Sequence, residues 1–98
     1  MFDFAKWREW LRGEAERLRA DGFSTEWKTN DRGLRGTELR IAGNGLLSSF
    51  RQFENGLVDY EVYDEALAVF RANESMVSVD DQNFPATFEK FLDFLGRP

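Results

Sequence analysis

The sequence predicts a single α+β domain in which an antiparallel sheet of four to five strands lies between an N-terminal helix and a C-terminal helix. Three observations support this: helical apolar spacing at both ends of the chain, alternation of apolar and polar residues through the middle, and Asn-Gly turns between alternating segments. Consecutive strands between amphipathic helices favour packing of both helices on one sheet face. The other face would stay open. All of residues 1–98 are assigned to this one domain.

The first helix is predicted to run from Phe2 to about Asp21. Its apolar side chains recur on a 3.6-residue period and form one stripe. The stripe comprises Phe4, Trp7, Leu11, Ala15 and Leu18. Asp3 can cap the first turn, and Gly22 lies where a glycine commonly ends a helix. The pattern predicts a helix that packs on the sheet through one side.

Strict alternation in the middle of the chain indicates strands with one buried face. Three strands are predicted before the central turn: Phe23–Thr29, Thr37–Ala42 and Leu46–Glu54. The hairpin that contains the last of them continues to Asp64. A further strand is predicted over Ala66–Ala72, and Met76–Val79 either extends its ladder or forms a short strand of its own.

The last helix is predicted to begin after a break at Asp80–Asn83, because Pro85 suits a first helical turn. Its apolar residues again share one stripe: Phe84, Phe88, Phe91, Leu92 and Leu95. The helix should stop at Gly96. A second apolar stripe needs a second docking place, most simply on the same sheet face as the first helix.

The hairpin around Asn55-Gly56 is predicted to be the centre of the sheet. If these residues form a type I′ turn, with φ > 0 at both, Phe53 pairs with Val58 and Gln52 with Asp59. One face of the hairpin would then be core, with Phe53, Val58, Tyr60 and Val62. The opposite face would be acidic and would hold the candidate partner-binding residues: Phe50, Gln52, Glu54, Asp59, Glu61 and Tyr63.

The formal charge of −5 is concentrated in the second half of the chain, where residues 52–98 contain three basic and ten acidic side chains. Such a field disfavours nucleic acid and anionic membranes, and it would steer a basic protein surface towards this half. A solvated acidic surface that only maintains solubility remains open as an alternative.

The chain has no cysteine and no histidine. Disulfides and thiolate metal sites are therefore impossible, the commonest general base is missing, and a cytoplasmic location is expected. No signal peptide or apolar run of about 20 residues is evident. Asp59 and Glu61 could form a carboxylate pair, or bind a cation together with Asp80 and Asp81, but the spacing of a calcium loop is missing. The sequence thus predicts no enzyme, no cofactor and no metal site.

Three segments together resemble the immunity proteins of bacterial polymorphic toxin systems, and most of all the TriTu-type immunity proteins. The segments are Phe4–Leu11, the hairpin Phe53–Asp64 and the closing Phe88–Leu95. The resemblance covers most of the chain in element order. It implies an antitoxin that binds and neutralises a cognate interbacterial toxin, an ADP-ribosyltransferase effector, by stoichiometric occlusion. Asp59 and Glu61 occupy the matching hairpin positions.

Two functions therefore remain as hypotheses. As an immunity protein, the chain would be a monomer when free and would form a 1:1 heterodimer with a toxin that presents a basic surface, without nucleic acid or membrane. The alternative is a small acidic secretion-effector chaperone. A chaperone would form a stable homodimer and hold an extended segment of its client.

Overall fold

The computed structural model describes residues 2–96 and has the α+β architecture that the sequence predicts. Five strands lie between two helices. The elements are α1 (Phe4–Ala20), β1 (Ser24–Asn30), β2 (Gly36–Gly43), β3 (Leu46–Phe53), β4 (Leu57–Asp64), β5 (Val69–Ser78) and α2 (Phe84–Phe94). The segment whose assignment the sequence left open is one continuous strand, β5. The residues before Val69 form the turn that leads into it.

The sheet is an antiparallel meander in which strand order follows chain order, β1-β2-β3-β4-β5. Both helices cover the same face, with α1 over β1 to β3 and α2 over β4 and β5. The two predicted apolar stripes are buried as expected, and Asp3 caps α1 by accepting from the Lys6 N–H. The prediction of fold class is confirmed, and it succeeded because the helical periods of α1 and α2 and the alternation in β2 and β4 are strong.

The core is aromatic at its centre. The Phe50 ring of β3 lies 5.0 Å from that of Phe88 and 5.2 Å from that of Phe91, centroid to centroid. Trp10 packs against Phe88 at 5.4 Å and joins α1 to α2. Phe50, Phe88 and Phe91 are completely buried. Rings of this size dominate the energetics of a small core, so this cluster fixes how the helices sit on the sheet.

The register of the β3–β4 hairpin differs by one residue from the prediction. Gln52 pairs with Val58 and Phe50 with Tyr60, so the loop has three residues, Glu54, Asn55 and Gly56. Gly56 has φ 82°, whereas Asn55 is not in the left-handed region. This is the three-residue hairpin loop, a turn followed by a left-handed residue, rather than a type I′ turn.

A one-residue change of register moves every side chain of a strand to the other face. Phe50 and Gln52, which were expected on the open face, are therefore in the core with 0% exposure. Phe53, which was expected in the core, is half-buried on the opposite side. The physical reason is that this register places Phe50 beside Tyr60 under the helices, whereas the other would leave a large aromatic ring opposite Glu61.

The type I′ turn is formed by the other Asn-Gly pair of the chain. Asn44 and Gly45 have φ of 53° and 76°, and Gly43 pairs with Leu46 on either side of them. The same dipeptide thus adopts two turn types. In the three-residue loop, Glu54 receives hydrogen bonds from the Arg35 backbone N–H at 3.1 Å and its Nε at 2.9 Å, which fastens the loop to the residue before β2.

Candidate functional site

The candidate site is the sheet face that the helices leave uncovered, here called the outer face. Side chains reach it from alternate positions of every strand. It has two parts, a central group of ion pairs and an apolar patch towards β5. The parts have different chemistry and are described separately.

The central group is built around Arg51 on β3 and is here called the Arg51 network. The guanidinium donates to Glu38 on β2 through Nε and to Glu61 on β4 through Nη2, both at 3.0 Å. Ser49 Oγ donates at 2.8 Å to Glu38 Oε2, the same oxygen that accepts from Arg51 Nε. The other Glu38 oxygen, Oε1, accepts from Arg40 Nε at 3.1 Å. The network therefore links three neighbouring strands through charge-assisted hydrogen bonds.

The network alters the ionisation of its members. Partial burial on its own would raise the pKa of Glu38, but the hydrogen bonds from Ser49 and Arg51 and the nearby guanidinium charges outweigh it and hold that pKa below its usual value. Burial would likewise lower the pKa of Arg51, and Glu61 and Glu38 raise it instead. Both partners are thus held in their charged forms.

The second part is a row of aliphatic and aromatic side chains, here called the Phe70 patch, formed by the exposed Leu47 and Phe70 and the half-buried Tyr63 between them. Leu47 pairs with Tyr63, and Tyr63 pairs with Phe70, so the row crosses β3, β4 and β5. Leu47 is 47% exposed and Phe70 is 51% exposed. The Tyr63 and Phe70 rings meet edge to face at 5.1 Å. A contiguous exposed patch beside polar residues is typical of an interaction site.

A β-bulge in β5 places Phe70 in this row. Val62 pairs with Ala72, so a regular ladder would set Arg71 opposite Tyr63. The register shifts between Val62 and Tyr63, so Phe70 pairs with Tyr63 instead. The Arg71 side chain contacts Asp64, and its Nη2 lies 3.1 Å from the Asp64 Oδ2. The bulge thus exchanges a guanidinium for an aromatic ring on the outer face, which is a known effect of bulges near functional surfaces.

The structure brings only part of the predicted site together. Phe50 and Gln52 are core residues, so their expected place on the open face is wrong. Glu54 lies in the hairpin loop and is paired with Arg35. None of these residues lies in the Phe70 patch. The reason is the hairpin register, which determines the face of every β3 side chain.

Asp59, Glu61 and Tyr63 do lie on the outer face, as expected. The carboxylates of Asp59 and Glu61 are not free, however. Glu61 accepts from Arg51, and Asp59 Oδ1 accepts from the Met76 backbone N–H at 2.8 Å. That bond closes a second bulge, where Met76 has φ 55°. The face is therefore a surface of satisfied ion pairs beside an aromatic patch, rather than the acidic surface that the sequence suggested.

Four residues of the outer face were not among the predicted partner-binding residues: Leu47, Phe70, Glu38 and Arg51. Leu47 could have been found, because it alternates with the buried Leu46 and Ser48 immediately after the Asn44-Gly45 turn. Phe70 could not, because its orientation depends on a bulge for which the sequence gives no glycine signal.

The acidity of the second half of the chain becomes an acidic side of the molecule. Because strands neighbour one another in chain order, residues 54–96 form the contiguous unit of β4, β5 and α2. This part contains two basic and ten acidic side chains. The Phe70 patch crosses the two strands of this part, through Tyr63 and Phe70, and extends to Leu47 on β3. A partner that reaches the patch therefore approaches along an acidic side.

Among residues 2–96, no three carboxylates converge in a way that could hold a metal ion. In the same part of the chain, neither helix is long and apolar enough to cross a bilayer.

The fold and the outer face together define a small α+β domain with one helix-covered and one uncovered sheet face. No protein-family model, curated protein or solved structure shows significant similarity to this chain.

The stability of the fold is expected to be flat between about pH 6 and 8 and to fall below about pH 4, because no histidine titrates and several carboxylates have lowered pKa values. Hydrogen bonds from the Asp3 backbone N–H and the Trp7 indole, both at 2.8 Å, hold the pKa of Asp81 below its usual value. A lowered folded pKa gives stability that is present above the unfolded pKa and is lost as pH falls through the folded one.

Urea unfolding across this pH range measures the effect. Asp81→Asn keeps an oxygen acceptor but cannot titrate, so its stability should fall less steeply in acid. Asp93→Asn, at an exposed position of α2, removes the same formal charge and is the control with which the acid slope of Asp81→Asn is compared. If the free energy of unfolding falls equally steeply in acid for Asp81→Asn and the native chain, Asp81 does not contribute to the loss of stability.

Proposed function

We propose that this chain is an immunity protein that binds a cognate interbacterial toxin through the outer face and neutralises it by stoichiometric occlusion. The observation that carries the proposal is the Phe70 patch, in which a bulge adds the exposed Phe70 ring to Tyr63 and Leu47 on the sheet face that neither helix covers. The resemblance of three sequence segments to TriTu-type immunity proteins supports the same conclusion. It further suggests an ADP-ribosyltransferase effector as the toxin.

The two parts of the outer face have different roles in this proposal. The aromatic patch supplies anchors, since aromatic side chains carry much of the binding energy of protein interfaces. The acidic side formed by β4, β5 and α2 attracts a basic toxin surface and raises the association rate. The Arg51 network keeps the sheet rigid beneath the contact. Nothing in this mechanism requires chemistry by the immunity protein, which acts by occupying the toxin's active site or target-binding surface.

The test is binding to, and protection from, the toxin domain encoded next to this chain's gene. Phe70→Ala is expected to weaken binding by about tenfold to a hundredfold, because truncation of an interface anchor commonly costs about 1–3 kcal/mol. Titration calorimetry with purified toxin measures the affinity, and coexpression measures protection. Leu34→Ala is the matched control, because Leu34 is similarly exposed at 46% but lies in the loop between β1 and β2.

Equal affinity for Phe70→Ala and Leu34→Ala would move the binding surface elsewhere. Failure of the native chain to protect cells from the toxin would overturn the immunity function itself. Binding of an extended, unfolded segment but not of the folded toxin domain would instead identify a secretion chaperone. The three outcomes can be told apart. The first compares two variants, the second uses the native chain with the toxin in cells, and the third compares an unfolded segment with the folded toxin domain.

A further inference from the structure

The two edges of the sheet differ in how they are protected. β5 is interrupted by two bulges, and Met76 within it has a left-handed backbone. β1 at the other edge pairs with β2 through seven consecutive residues without irregularity. Bulges are one of the devices by which proteins prevent an edge strand from pairing with another chain, and β1 lacks them. The β1 edge is therefore a regular template for a further strand.

The sequence of β1, Ser-Thr-Glu-Trp-Lys-Thr-Asn, is complementary to itself when it is reversed about Trp27. We propose that two copies of this chain pair through β1 in antiparallel orientation, with the two-fold axis at Trp27. Glu26 of each copy then lies opposite Lys28 of the other, and Thr25 opposite Thr29. Opposite charges in directly facing positions stabilise an antiparallel pair. The product is one continuous sheet with twice the five strands of a single chain.

The neighbouring registers are disfavoured by charge. In two antiparallel strands of one sheet, directly facing side chains point to the same side of the sheet. The two-fold axis must therefore pass through a residue, and the nearest alternatives to Trp27 are Glu26 and Lys28. The first shift sets Glu26 opposite Glu26 of the second copy, and the second sets Lys28 opposite Lys28. Facing like charges are destabilising. The charge pattern of β1 thus selects one register.

The helix side of β1 also favours this arrangement. Trp27 is only half-buried, and its desolvated indole N–H has no hydrogen-bond partner among residues 2–96. Arg12 lies over the ring at 5.4 Å from its centroid. An open groove runs beside it, between α1 and the β1 edge. In the proposed register Trp27 faces Trp27 of the second copy. Burying the two rings against each other removes apolar surface from water at the centre of the contact.

This dimer goes beyond the proposed function and does not depend on it. β1 and the Phe70 patch lie towards opposite edges of the sheet, so each copy can still bind one toxin. The arrangement replaces the expectation of a free monomer by that of a free dimer. A homodimer alone would then no longer distinguish an immunity protein from a secretion chaperone.

Sedimentation equilibrium across a concentration series tests the proposal. The native chain is expected to approach twice its 11.4 kDa mass. Glu26→Lys and Lys28→Glu each place two pairs of like charges across the contact, so each should weaken dimerisation by about tenfold or more. Both positions are exposed, and circular dichroism should show an unchanged fold. Charge reversal at Lys90, in α2, is the control and should leave the dimer intact.

Two further samples identify the register. The double variant Glu26→Lys/Lys28→Glu restores opposite charges and should dimerise like the native chain. An equimolar mixture of the two single variants should form heterodimers, since every facing pair is then complementary. A native chain that stays at the monomer mass throughout, or a mixture that fails to associate, would overturn the proposal. If Phe70→Ala loses toxin binding but still dimerises, the toxin-binding surface and the β1 dimer contact are separate surfaces, as proposed.

Discussion

Phe50→Ala is expected to lower the free energy of unfolding by about 3–5 kcal/mol, the range for truncating a fully buried phenylalanine. Phe50 has 0% exposure and contacts rings of both the sheet and α2, so its removal leaves a cavity beneath α2. A domain of this size has a total stability of about 5–15 kcal/mol, so the loss is a large fraction of it. Urea unfolding followed by tryptophan fluorescence measures the change.

Phe53→Ala is the matched control, because it removes the same ring three residues later. Phe53 is half-buried on the outer face, where its ring covers Gly36 of β2. The loss should therefore be smaller, about 1 kcal/mol. The ranking of the two variants reports the hairpin register directly. A larger loss for Phe53→Ala than for Phe50→Ala would mean that β3 pairs through a two-residue Asn55-Gly56 turn after all.

Gln52→Met is expected to raise the free energy of unfolding by about 1–2 kcal/mol. The Gln52 side chain has 0% exposure, and within the part of the chain that the structure describes neither its amide nitrogen nor its oxygen has a hydrogen-bond partner. The hydroxyl of its cross-strand neighbour Thr37 is likewise buried without a partner among the described residues. An unsatisfied buried amide costs about 1–3 kcal/mol, and methionine has a similar length and shape without that cost.

Two companion variants make this expectation specific. Gln52→Glu should destabilise strongly at neutral pH, because it buries an unpaired carboxylate, and the loss should shrink in acid as that carboxylate is protonated. Gln82→Met, at an exposed position, should change stability by no more than about 0.5 kcal/mol. A clear loss of stability in Gln52→Met would show that the amide is satisfied in the folded protein in solution.

Much of the fold could be predicted from the sequence because its elements have strong periods. The stripes of α1 and α2 and the alternation of Leu39 and Ile41 each specify one face independently of the rest of the chain. The hairpin register has no such local signal. Both Asn44-Gly45 and Asn55-Gly56 favour a tight turn, and only the pairing of Phe50 with Tyr60 in the assembled core separates a two-residue turn from a three-residue loop.

The candidate site was harder to predict than the fold for the same physical reason. Its residues are those whose face is determined by register and by bulges, which depend on neighbouring strands. Tyr63 was placed correctly because β4 alternates regularly. Arg51 was not recognised as the centre of an ion-pair network, because its partners Glu38 and Glu61 lie on two other strands.

The chain-order meander also determines how the protein can assemble while it is being synthesised. Each hairpin can close as soon as its second strand has left the ribosome, because every strand pairs with its immediate predecessor. Of the described elements, α2 emerges after all five strands, and it supplies Phe84, Phe88 and Phe91 to the aromatic core. Until then the inner faces of β4 and β5 have no cover. A nascent chain that stalls before Phe84 would expose this apolar surface to chaperones and proteases.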